Sequence, residues 1–183
     1  MDKNLYQDIL QELPEGTLQQ VRIGVRWTAV MVEVNGKPRC GLASTLDAPH
    51  DHTGSPTIPA AGSLESLSAL DLAGWILSDV PLRRSVGCAV INALLPKDTS
   101  SFITENADQA ILRRGRGKKT VLVGHFPFVP DLRQALEDFH VVDQHPQEGD
   151  LPASAAPEII PRAGVVAITG MTFLNHTLVD LLS

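Results

Sequence analysis

KTVLVGHFPFVPDLRQALEDFHVVD, residues 119–143, carries a strand, a glycine, a helix and a second strand in that order. Lys119 to Val123 is a compact run rich in β-branched residues, and Gly124 ends it. Val129 to Phe139 follows as a helical stretch after a proline-bearing loop, and His140 to Asp143 is a short apolar strand. Two strands separated by a helix cannot close as a tight hairpin, so the pattern predicts a parallel pair with a crossover helix on one face.

Reading onward, Gln144 to Ala153 is a polar loop, and Ala155 to Arg162 holds a short helix broken by Pro161. Val165 to Thr169 is a third strand, Gly170 a turn, and Asn175 to Leu182 a last helix. The result is a three-stranded, partial Rossmann-like parallel sheet over 119–183.

Reading back, residues 97–118 form a crossover with one short helix near Asn106 to Leu112. The basic run Arg113, Arg114, Arg116, Lys118 and Lys119 reads as a solvated linker between elements. Pro81 and Pro96 bracket a helix with an apolar centre, VGCAVINALL, and a helix with a broad apolar face runs from Leu64 to just before Pro81. Residues 46–63 are rich in Pro, Gly, Ser and Asp and form a long loop. Asn35-Gly36 predicts a type I′ hairpin between a Val21–Val34 stretch, which can divide near Arg26-Trp27, and a return strand Pro38–Thr45. Leu5, Ile9, Leu10 and Leu13 give an N-terminal amphipathic helix. The expected organisation is a small α+β domain over 1–80, a helix and crossover over 81–118, and the parallel sheet over 119–183.

A hydrophobic content of 43% with mean hydropathy +0.03 describes a globular chain that buries a core without metal or disulfide staples. No apolar run reaches membrane-spanning length, and the N-terminus lacks an export signal, so the expected location is the cytoplasm, with no membrane partner. Cys40 and Cys88 lie outside any CxxC pair and read as buried thiols in a reducing compartment. A net charge of −6 argues against nucleic acid as a partner.

In an open parallel sheet the ligand crevice lies beyond the carboxyl ends of the strands, which brings Gly124, His125, Phe126, Asp143, Thr169 and Gly170 to one region. Asp143 stands nineteen positions after Gly124, near the offset at which an acid in a dinucleotide fold reaches a ribose hydroxyl. GHFPFV has one glycine where the dinucleotide fingerprint has three, so Phe126 and Phe128 would crowd a pyrophosphate, which argues against NAD. No cofactor is specified. His125 at the crevice mouth is the candidate acid or base, the alternative being a ring satisfied by neighbouring backbone. Thr169, Thr172 and Asn175 are candidate ligand contacts and equally good helix caps. Asn92 is a polar group in an apolar helix and needs either a backbone carbonyl or a ligand. His50 and His52, flanking Asp51, are the densest metal-capable group, against the alternative of a solvated loop. No nucleophile elbow, HExxH or phosphate loop occurs.

Taken in order, VGCAVINALL (86–95), VLVGHFPFVPDL (121–132), VVDQHP (141–146) and ITGMTFLNHTLVDLL (168–182) resemble the family described as "putative heavy-metal chelation" proteins. The resemblance implies an enolase N-terminal-like α+β domain followed by a Rossmann-like domain, with a site between them. It implies a role in making or processing a metal-chelating small molecule, pterin-like or siderophore-like. The matching positions are Asn92, Gly124, Phe126, Pro127, Asp143, Pro146, Thr169, Gly170, Thr172, Asn175 and Thr177. Members of the family continue past the last helix with a further strand, so the expectation for this chain is a homodimer or a partner chain covering the sheet edge.

The leading expectation is therefore a small-molecule site, with His125 as acid or base. The alternatives are a protein binding divalent metal directly through His50 and His52, and a non-catalytic subunit of a larger assembly.

Overall fold

The computed structural model describes residues 4–46, 57–97 and 99–182. It divides into a first unit, Met1–Asp98 with Leu174–Val179, and a second, Thr99–Phe173 with Asp180–Ser183.

In the first unit, α1 (Asn4–Gln11) precedes strands β1 (Thr17–Ile23), β2 (Trp27–Val34) and β3 (Lys37–Ser44). The strands form an antiparallel sheet in the order β1-β2-β3. The expected division near Arg26-Trp27 is present, and Asn35 and Gly36 have φ of 53° and 71°, the double positive φ of a type I′ turn. Period-2 alternation decides the faces: Thr28, Val30, Val32 and Val34 are buried while Trp27, Met31 and Glu33 are exposed.

The buried face lies under α3 (Pro81–Leu94), whose Ser85 to Ile91 are buried without interruption. Helix and sheet approach backbone to backbone at Gly41, where an added Cβ would overlap the Ala89 carbonyl oxygen and the Ala93 nitrogen. The helix expected from Leu64 to Pro81 is instead broken. A 3₁₀ turn at Leu64–Ser66 leads to α2 (Ala69–Ala73) and a second 3₁₀ turn at Gly74–Leu77. The Ser68 hydroxyl accepts from the Leu70 and Asp71 amides and so starts a new helix within the apolar pattern.

In the second unit, α4 (Ala107–Gly115) leads into β4 (Thr120–Val123), α5 (Val129–Ala135) and β5 (Phe139–Asp143). Then come β6 (Leu151–Pro152), α6 (Ala156–Ile159) and β7 (Val165–Ile168). The sheet is parallel, in the order β6-β5-β4-β7. It therefore has four strands, not three. The sequence hides β6 because it is two residues long, contains Pro152 and pairs only with Val142 and Asp143.

Strand β4 is buried at every position, as a strand covered on both faces must be. Leu122 packs with Ile111, Val129, Leu132, Leu136 and Val141 on one side, and Val121 with Val142, Ala156 and Ile159 on the other. The basic run is not wholly a linker. Arg113 and Arg114 form the last turn of α4, where cations complement the helix dipole, and Arg113 pairs with Glu105.

The last helix, expected over 175–182, begins only at Leu178 as α8 (Leu178–Leu182), and a further short helix, α7 (Met171–Leu174), precedes it. Between them His176 adopts φ 65°, its Nε2 lies 2.6 Å from the Ile76 carbonyl oxygen, and its ring meets Tyr6 edge-on. Asn175 Oδ1 accepts from the amide and hydroxyl of Thr177, the residue before α8, and so fixes the turn that leads into it.

Candidate functional site

The carboxyl end of β4 turns at Gly124, whose φ of 105° lies in the region that favours glycine. The space a Cβ would need is occupied by Thr169 Cγ2 at 3.0 Å and Phe126 Cε2 at 3.2 Å, so the close approach at Gly124 is to protein atoms. Phe126 stacks on Phe128 with ring centroids 5.1 Å apart.

Asp143, at the end of β5, spends both carboxylate oxygens on the backbone. Oδ2 accepts from the His125 amide at 2.9 Å and Oδ1 from the His145 amide at 2.7 Å. It stitches together the loops after β4 and β5, a role that the offset from Gly124 does not reveal.

The His125 ring is held by Asp150. Nδ1 lies 2.7 Å from Asp150 Oδ2, which also accepts from the Gln147 amide at 2.9 Å. Arg133, on α5, donates Nη2–H to Asp150 Oδ1 at 2.6 Å and Nη1–H to the Glu148 carbonyl at 3.1 Å. The Asp150 side chain is fully buried, and that of His125 keeps 19% exposure. Burial alone would raise the Asp150 carboxyl. The Gln147 amide, His125 and Arg133 outweigh it and hold the group below the usual carboxylate range. An ionised carboxylate only accepts hydrogen bonds, so Nδ1 carries the proton and Nε2 is the nitrogen left for other chemistry.

The other expected residues divide by unit. Thr169 and Gly170 stand at the end of β7. Thr169 Oγ1 accepts from the Met171 amide, and its carbonyl accepts from the Thr172 hydroxyl at 2.7 Å, so both hydroxyls are used within the turn that opens α7. Asn175 holds the turn that precedes α8 through its contacts with Thr177. Asn92 belongs to the first unit and donates Nδ2–H to the Leu42 carbonyl at 2.8 Å, fastening α3 to β3. His50 and His52 lie outside the described residues. Among the described residues no group of three or more His, Cys, Asp or Glu side chains could hold a metal ion. Burial pushes the Cys88 thiol up to about 11, so at neutral pH it is not the thiolate that a metal requires.

Asp150 and Arg133 carry the most charged part of this site and had no signal in the sequence. Asp150 sits in the polar loop before a strand too short to recognise, and Arg133 is a single arginine on an amphipathic helix. Only the fold brings them to His125.

Residues 6–95 match one family model and residues 106–183 a second, both described as "Putative heavy-metal chelation". The chain belongs to this family. Its architecture recurs in two crystal structures of proteins of unknown function that share the second family. One, from Desulfitobacterium hafniense, is 24% identical with a TM-score of 0.78. The other, from Pyrococcus horikoshii, is 19% identical with a TM-score of 0.77. Each likeness takes in 98% of this chain and 72% of the other, and at these identities it is a likeness of fold. No curated protein matches the chain at a significant level. The antiparallel sheet followed by a parallel one is the α/β arrangement expected of an enolase-like part and a Rossmann-like part. Among the described residues no helix is long and apolar enough to cross a membrane.

Proposed function

We propose that this member of the heavy-metal chelation family binds a polar small molecule beyond the carboxyl ends of β4 and β5, and that His125 moves a proton at that molecule. The fitting class of ligand is a metal-chelating compound, pterin-like or siderophore-like, being made or processed. The observation that carries the reading is the buried Asp150 carboxylate, anchored by Arg133, which fixes the His125 tautomer and leaves Nε2 available. A base oriented by a buried acid is the arrangement that general acid–base catalysis uses. Nε2 of such a ring also suits contact with a metal already held by the chelator, because a carboxylate on the far nitrogen strengthens an imidazole ligand.

The test is a thermal-shift and calorimetric screen of wild type, His125→Gln and Asp150→Asn against pterins, catecholates, S-adenosylmethionine and divalent metals. A ligand that stabilises wild type and is weakened at least about tenfold in His125→Gln supports the site, that being about the worth of one charge-assisted hydrogen bond. Stabilisation by metal alone, unchanged in His125→Gln and lost in His50→Ala/His52→Ala, would overturn it. That outcome favours direct metal binding, the second reading that the family description supports.

A further inference from the structure

Two arginines stand at the start of α3, and neither has an acidic partner among the described residues. Arg83 donates Nε–H to the Thr57 carbonyl at 2.9 Å, and Arg84 donates Nη1–H to the Ser78 carbonyl at 3.3 Å. Asp79, the acid nearest to them in the chain, is exposed and pairs with neither. Arg84 is half-buried, and its Nε is a buried donor with no hydrogen-bond partner. A buried donor left without an acceptor is destabilising, so the fold keeps this group at a cost. The helix end adds to the imbalance. Val80 precedes α3, no side chain caps its amides and its first turn holds no acid, so both cations stand at the positive end of the helix dipole.

The ionisable groups that bear on Arg84 do not supply the missing charge. Burial and Cys88 push the Tyr6 phenol up against the pull of Arg84. Cys88 is the buried one of the two thiols, Cys40 being exposed, and burial pushes it up to about 11. Both groups are therefore neutral at pH 7. Arg113 shows what a guanidinium does when an acid is within reach, since its Nε and Nη2 hold the two carboxylate oxygens of Glu105 at 3.0 and 2.8 Å. In Arg84 the same Nε–Nη2 edge faces no carboxylate of the described residues.

We propose that Arg84, with Arg83 and the uncapped start of α3, binds the oxyanion of a small molecule, a carboxylate or a phosphate. A planar guanidinium matches either group with two parallel hydrogen bonds, and the amides of a helix start favour the same charge. Because Nε is shielded from solvent, the fitting group is a compact terminal one. Two cations at a helix start repel a free metal ion, so this site differs in kind from the imidazole of His125. It is built from residues of the first unit alone and does not depend on the reading of His125.

The test is thermal unfolding of wild type, Arg84→Met and Arg84→Lys at pH 7 in sodium phosphate, sodium acetate and sodium chloride of equal ionic strength. Phosphate or acetate is expected to raise the melting temperature of wild type above its value in chloride, increasingly with concentration. The larger of the two responses tells a phosphate from a carboxylate ligand. Arg84→Met weakens the apparent anion affinity at least about tenfold, as loss of a charge-assisted pair does, and Arg84→Lys, which keeps the charge without the fork, weakens it less. In chloride Arg84→Met melts no lower than wild type, because an apolar chain of similar length replaces an unpaired, half-buried charge. In the stabilising anion that order reverses. Arg116→Gln, at an exposed arginine beyond α4, keeps the response of wild type. No stabilisation by either anion, equal stabilisation of wild type and Arg84→Met, a lower melting temperature of Arg84→Met in chloride, or an unchanged affinity in Arg84→Lys overturns the proposal.

Discussion

The two sheets bury their strands in opposite ways. The antiparallel sheet of the first unit uses long strands with one face under α3 and the other bare, so it carries its exposed apolar side chains in rows. The parallel sheet of the second unit uses four- and five-residue strands with a core on each side of β4. Both faces being taken, its polar chemistry is displaced to the strand ends, where Gly124, Asp143 and Thr169 close their turns and His125 meets Asp150. One sheet therefore leaves a face exposed, and the other gathers its polar side chains at its rim. The difference follows from whether one face or two must be kept dry.

The largest expected effect lies in the first sheet. Gly41→Val forces side-chain atoms into the backbone of α3, and a loss of about 3 kcal/mol or more is expected in urea denaturation. A variant of near-native stability would break the claim that this face is closed.

Asp150→Asn comes next. It leaves Arg133 beside a neutral amide and replaces one of the two acceptor oxygens with a donor, so Arg133, His125 and the Gln147 amide are no longer all satisfied, and the expected loss is about 2–3 kcal/mol, with Arg133 partly solvated. The pH dependence sharpens it. Because the folded carboxyl titrates below its unfolded value of about 3.9, its contribution is present in full above that pH and is lost as pH falls through the folded value. The carboxyl's part of the stability gap between wild type and Asp150→Asn is thus present above that pH and closes in stronger acid. A gap that persists there would place the effect in packing and not in charge.

Asn175→Ala removes the acceptor that holds the turn before α8 and is expected to cost about 1 kcal/mol, measured by thermal unfolding. Glu105→Ala, which breaks the solvent-facing pair with Arg113, is expected to leave the melting temperature unchanged. A larger effect of Glu105→Ala than of Asp150→Asn would invert the ranking of buried rim over open surface.

The elements most legible in the sequence are those whose signals are local. Asn35-Gly36 announces its turn because two positive φ angles in succession suit few residue pairs. Strand β4 is visible as a β-branched run closed by a glycine. Where a tertiary contact overrode a periodic pattern, the reading failed. The apolar period over 64–80 predicts one helix, yet Ser68 restarts it to seat Leu72 and Ile76 in the core. The period over 175–182 predicts another, yet its first turn is lost where His176 reaches the Ile76 carbonyl, and the helix begins only at Leu178. Strand β6 left no signal, having too few residues to show a period.

By itself the sequence determined the α/β class, the hairpin, the strand–glycine–helix unit at Gly124 and the place of His125 at a strand end, all consequences of backbone preference and of hydrophobic spacing over a few residues. Tertiary structure decided what those residues do. Asp143 became a stitch between two loops, Thr169, Thr172 and Asn175 became fasteners of the turns at the starts of α7 and α8, and Asn92 became a tie between helix and sheet. Asp150 and Arg133, distant in sequence from His125, became its support. The physical reason is that a hydrogen bond across seventeen or twenty-five residues depends on where the fold brings two chain segments, which no local pattern of residue types encodes.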